Sequence, residues 1–416
     1  MCPLPPPSTN DPLVIAIAPA FEKKLFTFVA RMSPDRSLHI LQTCFSKSWG
    51  GLEIQALEVS RKLQERGHHV WIACIPGSRL SQEAHEQNIK RVHLNVTGYV
   101  HPMMSWRLGR FLKRRDIHII HCQLSKDIAT LVPAMRLSGR RIPVLLSKRV
   151  GSYVNKKDLF HKFTYSHVDR VLAISEVIHK NVLDTTPVTP DRVLTLHDAI
   201  DTDFFSPGRV DRGKTRKEFS FADDTVVIGF VGRFSPGKGH EELLEAARLL
   251  SVKYPNLHFL IVGEASRGEE RYAQKIHTLS HSMGLDDLVT FAGYRNDIPE
   301  VMSAFDIFAF PSHAESFGVV LIEAMAMERP VVSTNCDGVL DIVVDGQTGL
   351  YVNRRNAHEL AEALARLIED PSLRESMGKA GRCRVEELFD QRKQMNRIEE
   401  IYYQILGNQP HRAEEV

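Results

Sequence analysis

Two acidic residues flank a glycine turn in the segment "PSHAESFGVVLIEAMAM", which runs from Pro311 to Met327. Glu315 precedes Gly318, and Glu323 follows it among apolar residues. A carboxylate in such surroundings loses hydration and needs a hydrogen-bond donor, such as a ribose hydroxyl. The pattern predicts a buried strand, a loop and then a helix whose first N–H groups can bind an anion. The alternative is that Glu323 is only a good helix former and Glu315 a loop charge.

The segment "FVGRFSPGKG" also combines glycines with cations. Gly232 to Lys238 matches the spacing of a P-loop, but Gly239 stands where Ser or Thr would hold Mg²⁺. We therefore interpret the segment as a phosphate site without a metal, in which Arg233 and Lys238 neutralise a diphosphate. The alternative is an ordinary strand-turn-helix with solvated charges.

Two further short motifs carry weaker signals. Gly50 and Gly51 precede a predicted helix, Leu52 to Arg66, whose N-terminal N–H groups favour an anion, although a flexible turn explains the pair equally well. The acidic "DTD" at Asp201 to Asp203 lies in a linker with no strand to deliver it to a cleft. No metal site is therefore predicted.

Charge is distributed unevenly along the 416 residues. Residues 1–200 hold 28 Lys and Arg against 16 Asp and Glu, whereas residues 201–416 hold 25 against 35. Residues 101–150 alone hold 11 basic and 2 acidic residues. This density indicates an anionic surface or substrate, and the alternative is a set of solvated helix faces.

Cysteine usage and the N-terminal segment bear on location. The six cysteines are scattered without a CxxC pair, which favours a reduced, cytoplasmic compartment. The apolar run "PLVIAIAPAF" is shorter than a membrane helix and has no basic residues before it, so we expect neither a membrane span nor a signal peptide.

Short aliphatic runs alternate with amphipathic stretches along most of the chain, and the pattern restarts after "FFSPGRVDRG". Such alternation predicts parallel sheets covered by helices, and the length predicts more than one core. We expect two doubly wound domains, residues 37–205 and 206–390, facing a cleft. Residues 1–36 would be an extension of uncertain role, and residues 391–416 a helix that crosses back to the first domain.

The motifs together resemble a known family. The two acids, "GRFSPGKG", "IVGE", the leading "GG" and "AGYRNDIPEVMSAFDIFAFPS" are similar to those of the retaining glycosyltransferases of family 4 (glycosyl transferases group 1), which have the α/β GT-B fold. The resemblance implies transfer of a sugar from a nucleotide-diphosphate sugar to a glycan or lipid-linked acceptor. Cell-surface polysaccharide or lipopolysaccharide synthesis would be the setting. Neither a cofactor, a metal nor a nucleic-acid partner is expected.

The resemblance also implies roles for individual residues of the second domain. Glu315 would bind the donor sugar beside the backbone of Phe317 and Gly318. The N–H groups of Val319 and Val320 would bind the diphosphate. The implied catalytic set is Glu315, Arg233 and Lys238.

Other implied roles lie at the ends of the donor. Glu323 would hold the ribose, and Tyr294 and Arg295 would border the base. Gly50 and Gly51 would close over the phosphates from the first domain.

One position departs from the family pattern. Many members carry an H-x-H pair here, but this chain reads His121, Cys122, Gln123. Gln123 would then bond a sugar hydroxyl or phosphate in place of the second histidine. His118 and His121 are expected to be structural.

Two other classes remain open. A non-catalytic nucleotide- or sugar-binding protein would bind the donor without turnover, and a P-loop-like hydrolase would need Mg²⁺. The basic first half leads us to expect that the enzyme lies at the inner face of an anionic membrane.

Overall fold

The structure is a computed structural model, and it describes residues 37–96, 98, 101–266 and 268–407. The expected extension, residues 1–36, lies outside the described residues, as do the last nine residues of the expected C-terminal helix. In the described part, the strands form a seven-stranded and a six-stranded sheet. None of the described helices is both long and apolar enough to cross a bilayer.

The first sheet has the strand order β3-β2-β1-β4-β5-β6-β7 with parallel pairing throughout. All its carboxyl ends therefore meet at one edge, and the order reverses between β1 and β4, where such sheets bind ligands. The strands are β1 (His39–Cys44), β2 (His69–Cys74), β3 (Lys90–His93), β4 (Ile119–Cys122), β5 (Val144–Lys148), β6 (Arg170–Ala173) and β7 (Val193–Thr195).

Helices cover both faces of this sheet, because Ile40 and Leu41, neighbours in β1, belong to two different apolar cores. The first helix begins at Gly51, one residue before the predicted start. The helices are α1 (Gly51–Glu65), α2 (Arg79–Glu86), α3 (Pro102–Arg114), α4 (Ile128–Ser138), α5 (Leu159–Tyr165) and α6 (Glu176–Thr185).

The second sheet repeats the design with the order β10-β9-β8-β11-β12-β13, so that its reversal lies between β8 and β11. Its strands are β8 (Val226–Val231), β9 (Leu257–Val262), β10 (Val289–Gly293), β11 (Ile307–Phe310), β12 (Val331–Thr334) and β13 (Gly349–Val352). Its helices are α7 (Arg212–Glu218), α8 (His240–Ser251), α9 (Glu270–Ser282), α10 (Ile298–Ala304), α11 (Val319–Ala326), α12 (Ala357–Glu369) and α13 (Pro371–Leu388).

The last described helix, α14 (Gln391–Gly407), packs on the first domain. Its Ile398 and Ile401 share an apolar core with Ile40 of β1. The Tyr402 hydroxyl lies 2.7 Å from His121 Nδ1 of β4. Burial of these side chains joins the end of the chain to the sheet that precedes the linker.

Candidate active site

A lysine and a glutamate meet where two neighbouring strands of the second sheet end. Lys238 Nζ lies 2.6 Å from Glu315 Oε2, and both side chains are largely buried. Lys238 follows β8 and Glu315 follows β11, which is paired with β8. The contact is a charge-assisted hydrogen bond, which fixes the two side chains relative to each other.

Gly239 allows the two loops to approach this closely. It has φ of +82°, and a Cβ built on it would lie 2.2 Å from the Pro311 carbonyl oxygen. The His313 N–H donates to the Gly237 carbonyl oxygen at 2.8 Å in the same contact. A side chain at position 239 would therefore push Lys238 away from the loop that carries the glutamate.

The N-terminus of α11 lies directly after this loop. Gly318 caps the helix with φ of +108°, and the Leu321 N–H donates to its carbonyl oxygen at 2.9 Å. Val319 and Val320 open the helix, where N–H groups have no partner within the helix itself. The helix dipole adds a partial positive charge at this point, so the geometry suits an anion.

Glu323 lies one turn further along α11. Its side chain is half-buried, its neighbours Ile322 and Ala324 are buried, and burial raises its pKa to about 7. In the part of the chain that the structure describes, its carboxylate accepts no hydrogen bond. A ligand hydroxyl that donates to it would favour the ionised form.

Hydrogen bonds from both domains fix the loop that carries Glu315. The Glu315 N–H donates to Asp337 Oδ2 at 3.3 Å, and the Gly338 N–H donates to the Glu315 carbonyl oxygen at 2.9 Å. The Ser175 hydroxyl of the first domain donates to the Ser316 carbonyl oxygen at 2.6 Å. The position of Glu315 therefore depends on the first domain as well as the second.

A histidine makes a second bridge between the domains. The ring of Phe317 is buried and stacks on His197, with centroids 5.4 Å apart. His197 Nε2 lies 3.0 Å from Asp341 Oδ2, which also accepts the Glu176 N–H at 2.8 Å. The side chain of Phe317 is therefore occupied in this contact between the domains.

The two arginines of the predicted site differ in environment. Arg233 is exposed, and its Nη1 donates to the Ser266 hydroxyl at 3.2 Å. Arg295 pairs with Glu218 and Asp297, and hydrogen bonds to both carboxylates raise its pKa. The charge of Arg295 is thus already compensated, whereas that of Arg233 has no carboxylate partner among the described residues.

The first domain contributes the predicted glycines and a glutamine. Gly50 caps α1 in an extended conformation, and a Cβ on Gly51 would meet no atom within 4 Å. Gln123 is buried, and its Nε2 donates to Gln42 Oε1 at 2.8 Å. Its Oε1 has no hydrogen-bond partner among the residues that the structure describes, so one amide oxygen remains unpaired at the end of β4.

His121, next to this glutamine, is fully engaged. Its Nδ1 contacts the Tyr402 hydroxyl and its Nε2 the Ser147 hydroxyl, each at 2.7 Å. Burial lowers its pKa to about 3. His121 is therefore a neutral structural residue, as the sequence predicts.

A second histidine group lies at the opposite edge of the sheet, and its chemistry disfavours a metal. Ring nitrogens of His39 and His118 cluster with an Asp116 carboxylate oxygen. The backbone N–H of His39 donates to His118 Nδ1 at 3.1 Å. A neutral His118 ring therefore carries its proton on Nε2, which lies 3.2 Å from Asp116 Oδ2. A protonated nitrogen offers no lone pair to a cation.

Asp127 and Lys148 of the first domain are among the buried ionisable residues that were not predicted from the sequence. Asp127 is buried, its Oδ2 accepts the Phe45 N–H at 3.0 Å, and burial raises its pKa to about 7. Lys148 is only 9% exposed at the end of β5, and burial lowers its pKa to about 8. Asp127 ends a short helical turn after β4, and Lys148 ends β5. Polar residues are common at such places, so the sequence does not indicate that these two are buried.

Two family models match consecutive segments of the chain. Residues 49–204 match the model described as Glycosyltransferase Family 4, and residues 211–384 match the model described as Glycosyl transferases group 1. The chain belongs to this glycosyltransferase family. The resemblance drawn from the motifs is thereby confirmed.

Curated relatives of this glycosyltransferase match it over part of their length. It is 31% identical over 247 residues to the capsular polysaccharide biosynthesis glycosyltransferase CapM of Staphylococcus aureus, covering 57% of this chain and 62% of CapM. It is 34% identical over 218 residues to the D-inositol 3-phosphate glycosyltransferase of Actinosynnema mirum, covering 51% of this chain and 52% of that protein. The matches thus span about half to three-fifths of these relatives' length.

Solved glycosyltransferases share its fold over almost the whole chain. A glycosyltransferase from Rickettsia africae superposes with a TM-score of 0.82 at 23% identity, covering 90% of this chain and 100% of that chain. Anabaena HepE in complex with UDP and glucose gives 0.73 at 21% identity, covering 88% and 99%. The predicted GT-B fold of two Rossmann-like domains is confirmed.

Proposed function

We propose that this glycosyltransferase moves a sugar from a nucleotide-diphosphate sugar to a glycan or lipid-linked acceptor, with retention at the anomeric carbon. The observation that carries the proposal is the Lys238–Glu315 contact of 2.6 Å directly before the N-terminus of α11. This arrangement offers a cation and helix N–H groups to a diphosphate and a carboxylate to sugar hydroxyls.

In this proposal, charge stabilisation drives the reaction. The bond from the anomeric carbon to the diphosphate oxygen breaks, and the bonding electrons leave with the diphosphate. Arg233, Lys238 and the N–H groups of Val319 and Val320 bind this charge more strongly in the transition state than in the ground state. These fixed groups supply the counter-charge, so transfer is expected to persist in EDTA.

Retention follows if the acceptor attacks from the face that the diphosphate leaves. The acceptor oxygen bonds to the anomeric carbon, and its proton passes to an oxygen of the departing phosphate. Glu315 orients the donor sugar through hydroxyl contacts, and Glu323 holds the ribose. Protein side chains then position the reactants without forming a covalent intermediate.

The names of relatives suggest the donor class and the biological setting. HepE was solved with UDP and glucose, and CapM is a capsular polysaccharide glycosyltransferase. WaaG, of the same fold, acts in lipopolysaccharide biosynthesis. We therefore place uridine-diphosphate sugars first among candidate donors and cell-surface glycans first among acceptors.

An anionic membrane surface is the proposed location, on the cytoplasmic side. Met103 and Trp106 of α3 are exposed, and Arg110 lies over the Trp106 ring at 4.8 Å. Arg136 of α4 lies over the exposed ring of Phe163 of α5, 5.3 Å from the ring centroid. Apolar rings with adjacent cations suit an anionic interface.

Vesicle sedimentation tests this location. The wild type should sediment with phosphatidylglycerol vesicles more than with phosphatidylcholine vesicles, and Trp106→Ala should reduce the difference. The control is Leu388→Ala, which removes an exposed apolar side chain from the second domain. Equal sedimentation with both lipids would remove the membrane from the proposal.

The function itself is tested with UDP, GDP and ADP sugars, by measuring release of the nucleoside diphosphate in EDTA. Turnover in the wild type and its loss in Lys238→Met support the proposal. Donor binding without turnover would favour the non-catalytic alternative. Phosphate release that needs Mg²⁺ and no sugar would favour a hydrolase.

A further inference from the structure

An aspartate at the carboxyl edge of the first sheet does not serve the helix that it precedes. Asp127 ends a short helical turn after β4 and is the N-cap residue of α4. An aspartate at this position commonly accepts a hydrogen bond from an N–H group of the first helical turn. The carboxylate of Asp127 makes no such bond to α4. Its side chain is directed to another part of the first domain.

The Asp127 carboxylate bonds to the loop that follows β1. Strands β1 and β4 are paired, and the Gln123 N–H donates to the Thr43 carbonyl oxygen at 2.9 Å where the pairing ends. The N–H of Phe45, two residues further along, donates to Asp127 Oδ2 at 3.0 Å. Alternate residues of a parallel strand bond to the same neighbour, so the carboxylate takes the place of the next backbone acceptor. It thus fixes the point at which the chain leaves β1.

This contact is buried, and it leaves the carboxylate incompletely bonded. Asp127 is 1% exposed, and the side chain of Phe45 is also buried. Among the residues that the structure describes, Asp127 Oδ1 has no hydrogen-bond partner. Burying a carboxylate with one backbone donor costs free energy, so stability alone does not explain the contact.

The loop that the contact fixes leads to the glycine pair. Phe45 lies five residues before Gly50, which caps α1. Trp49, directly before this cap, is half-buried, and Arg79 of α2 lies over its ring, 5.0 Å from the centroid. The loop is therefore tied to Asp127 at its start and continues into α1 at its end.

The second domain has an acidic residue at the corresponding place. The two sheets share the order of their central strands, in which β1 corresponds to β8 and β4 to β11. Asp127 is the fifth residue after β4, and Glu315 is the fifth residue after β11. Each carboxylate bonds to the loop after the neighbouring strand, Asp127 to Phe45 and Glu315 to Lys238. An acidic side chain thus joins two loops at the carboxyl edge of each sheet.

We propose that Asp127 is a positioning residue that sets the Gly50–Gly51 loop against the phosphates of the donor. The inference rests on the proposed function, because the resemblance to the family gives these glycines the role of closing over the phosphates. Asp127 acts through the backbone of Phe45 and does not itself touch the donor. A displacement of about 1 Å in such a loop lowers a rate by about 10²-fold, because the groups that hold the reactants are displaced with it.

Two substitutions separate the hydrogen bond from the charge. Asp127→Leu removes the acceptor for the Phe45 N–H, whereas Asp127→Asn keeps an oxygen acceptor and removes only the charge. In release of the nucleoside diphosphate from a nucleotide sugar, kcat/KM should fall by about 10²-fold in Asp127→Leu and by less than about threefold in Asp127→Asn.

Asp169 provides the matched control at the opposite edge of the same sheet. Its Oδ2 accepts the Val144 N–H at 2.8 Å, at the amino end of β5. Asp169→Leu removes the same kind of bond, together with a pairing to Arg141, so it should lower Tm. It should leave kcat/KM unchanged when all variants are assayed at a temperature at which they are folded.

Fluorescence of Trp49 reports the position of the loop without any substrate. The sequence has three tryptophans, so Trp71→Phe and Trp106→Phe together leave Trp49 as the only one. Adding Asp127→Leu to this background should make acrylamide quench Trp49 more strongly, because the half-buried ring becomes more exposed when the loop moves. Adding Asp127→Asn or Asp169→Leu should leave the quenching unchanged.

Three results would overturn the inference. The first is equal quenching of Trp49 with and without Asp127→Leu. The second is a kcat/KM in Asp127→Leu equal to that of the wild type. The third is an equal loss of kcat/KM in Asp127→Leu and in either Asp127→Asn or Asp169→Leu.

The failure of this inference differs from the failure of the proposed function. A wild type that releases no nucleoside diphosphate from any nucleotide sugar would remove the proposed function. The quenching of Trp49 would still decide whether Asp127 fixes the loop.

Discussion

The charged side chains at the carboxyl edges of the two sheets differ in whether they are paired. In the second domain, Lys238 pairs with Glu315, and Arg295 pairs with Glu218 and Asp297. Within the described part of the chain, Lys148 of the first domain is buried without a carboxylate partner, and the amide oxygen of Gln123 accepts no hydrogen bond. The two edges have the same parallel topology, so the difference lies in the side chains and not in the fold.

The difference shows in how the charged groups are held. At the second edge, the Lys238–Glu315 contact fixes both side chains relative to each other. At the first edge, no carboxylate pairs with Lys148 among the described residues, so its buried ammonium keeps its desolvation cost.

The largest effect is expected where the backbone of the second edge is disturbed. Gly239→Ala should lower the free energy of unfolding by about 4 kcal/mol, because its Cβ would lie 2.2 Å from a backbone oxygen at positive φ. Gly237→Ala is the matched control, since it shares positive φ but its Cβ meets only His313 at 3.9 Å. Gly237→Ala should lower the free energy of unfolding by about 1 kcal/mol.

Chemical denaturation of both variants checks this pair. Equal losses of stability would mean that conformation at positive φ, and not the contact with Pro311, decides the requirement for glycine at position 239.

Removing the cation should affect transfer more than stability. Lys238→Met should lower kcat by about 10²–10³-fold, as loss of one charge-stabilising group does in other enzymes. The control is Lys275→Met, an exposed lysine of α9 that pairs with Glu241. Steady-state release of the nucleoside diphosphate measures both, and equal kcat values would remove Lys238 from the catalytic set.

Helix α14 packs against the first sheet, and its Tyr402 contacts His121 of β4. Tyr402→Phe should lower the free energy of unfolding by about 1–3 kcal/mol, because it leaves a buried His121 nitrogen without its 2.7 Å contact. Tyr254→Phe, which removes a hydroxyl bonded to exposed Glu369, should change it by less than about 0.5 kcal/mol. Thermal or urea unfolding of the two variants compares them, and equal changes would contradict a structural role for the His121 contact.

Glu323 should give an effect that depends on pH. Its folded pKa is raised to about 7 from 4.5, so its contribution to stability is complete below about pH 4.5 and is lost as pH rises through about 7. Glu323→Gln should therefore gain stability over the wild type as pH rises from about 5 to 8.

Donor binding offers the second readout for Glu323. A ribose hydroxyl that donates to the ionised carboxylate should make nucleotide binding tighten more between about pH 6 and 8 in the wild type than in Glu323→Gln. Parallel pH profiles in the two proteins would contradict contact between this carboxylate and the ligand.

Local patterns predicted the fold and the composition of the second edge. Strand and helix periodicity gave the alternation of elements, and the loops after β8 and β11 were expected to carry Lys238 and Glu315. Their direct pairing was not predicted, because it depends on the contact between Gly239 and Pro311, which are far apart in sequence. The same motifs also predicted the family to which the chain belongs.

Features of the first edge were harder to predict because long-range packing creates them. Lys148 ends the apolar run "IPVLLSK" and looks like a solvated strand end, yet the fold buries it. The engagement of His121 depends on Tyr402, 281 positions away. The residue type at position 123 departs from the family pattern, and only the structure gives its partner, Gln42.

Nucleotide titration of four proteins tests the central claim most directly: the wild type, Lys238→Met, Glu323→Gln and Lys148→Met, each with UDP, GDP and ADP. The account predicts that one nucleotide binds the wild type and Lys148→Met equally, and that the two changes in the second domain weaken its binding. Binding that survives both changes in the second domain but is abolished in Lys148→Met would contradict the account.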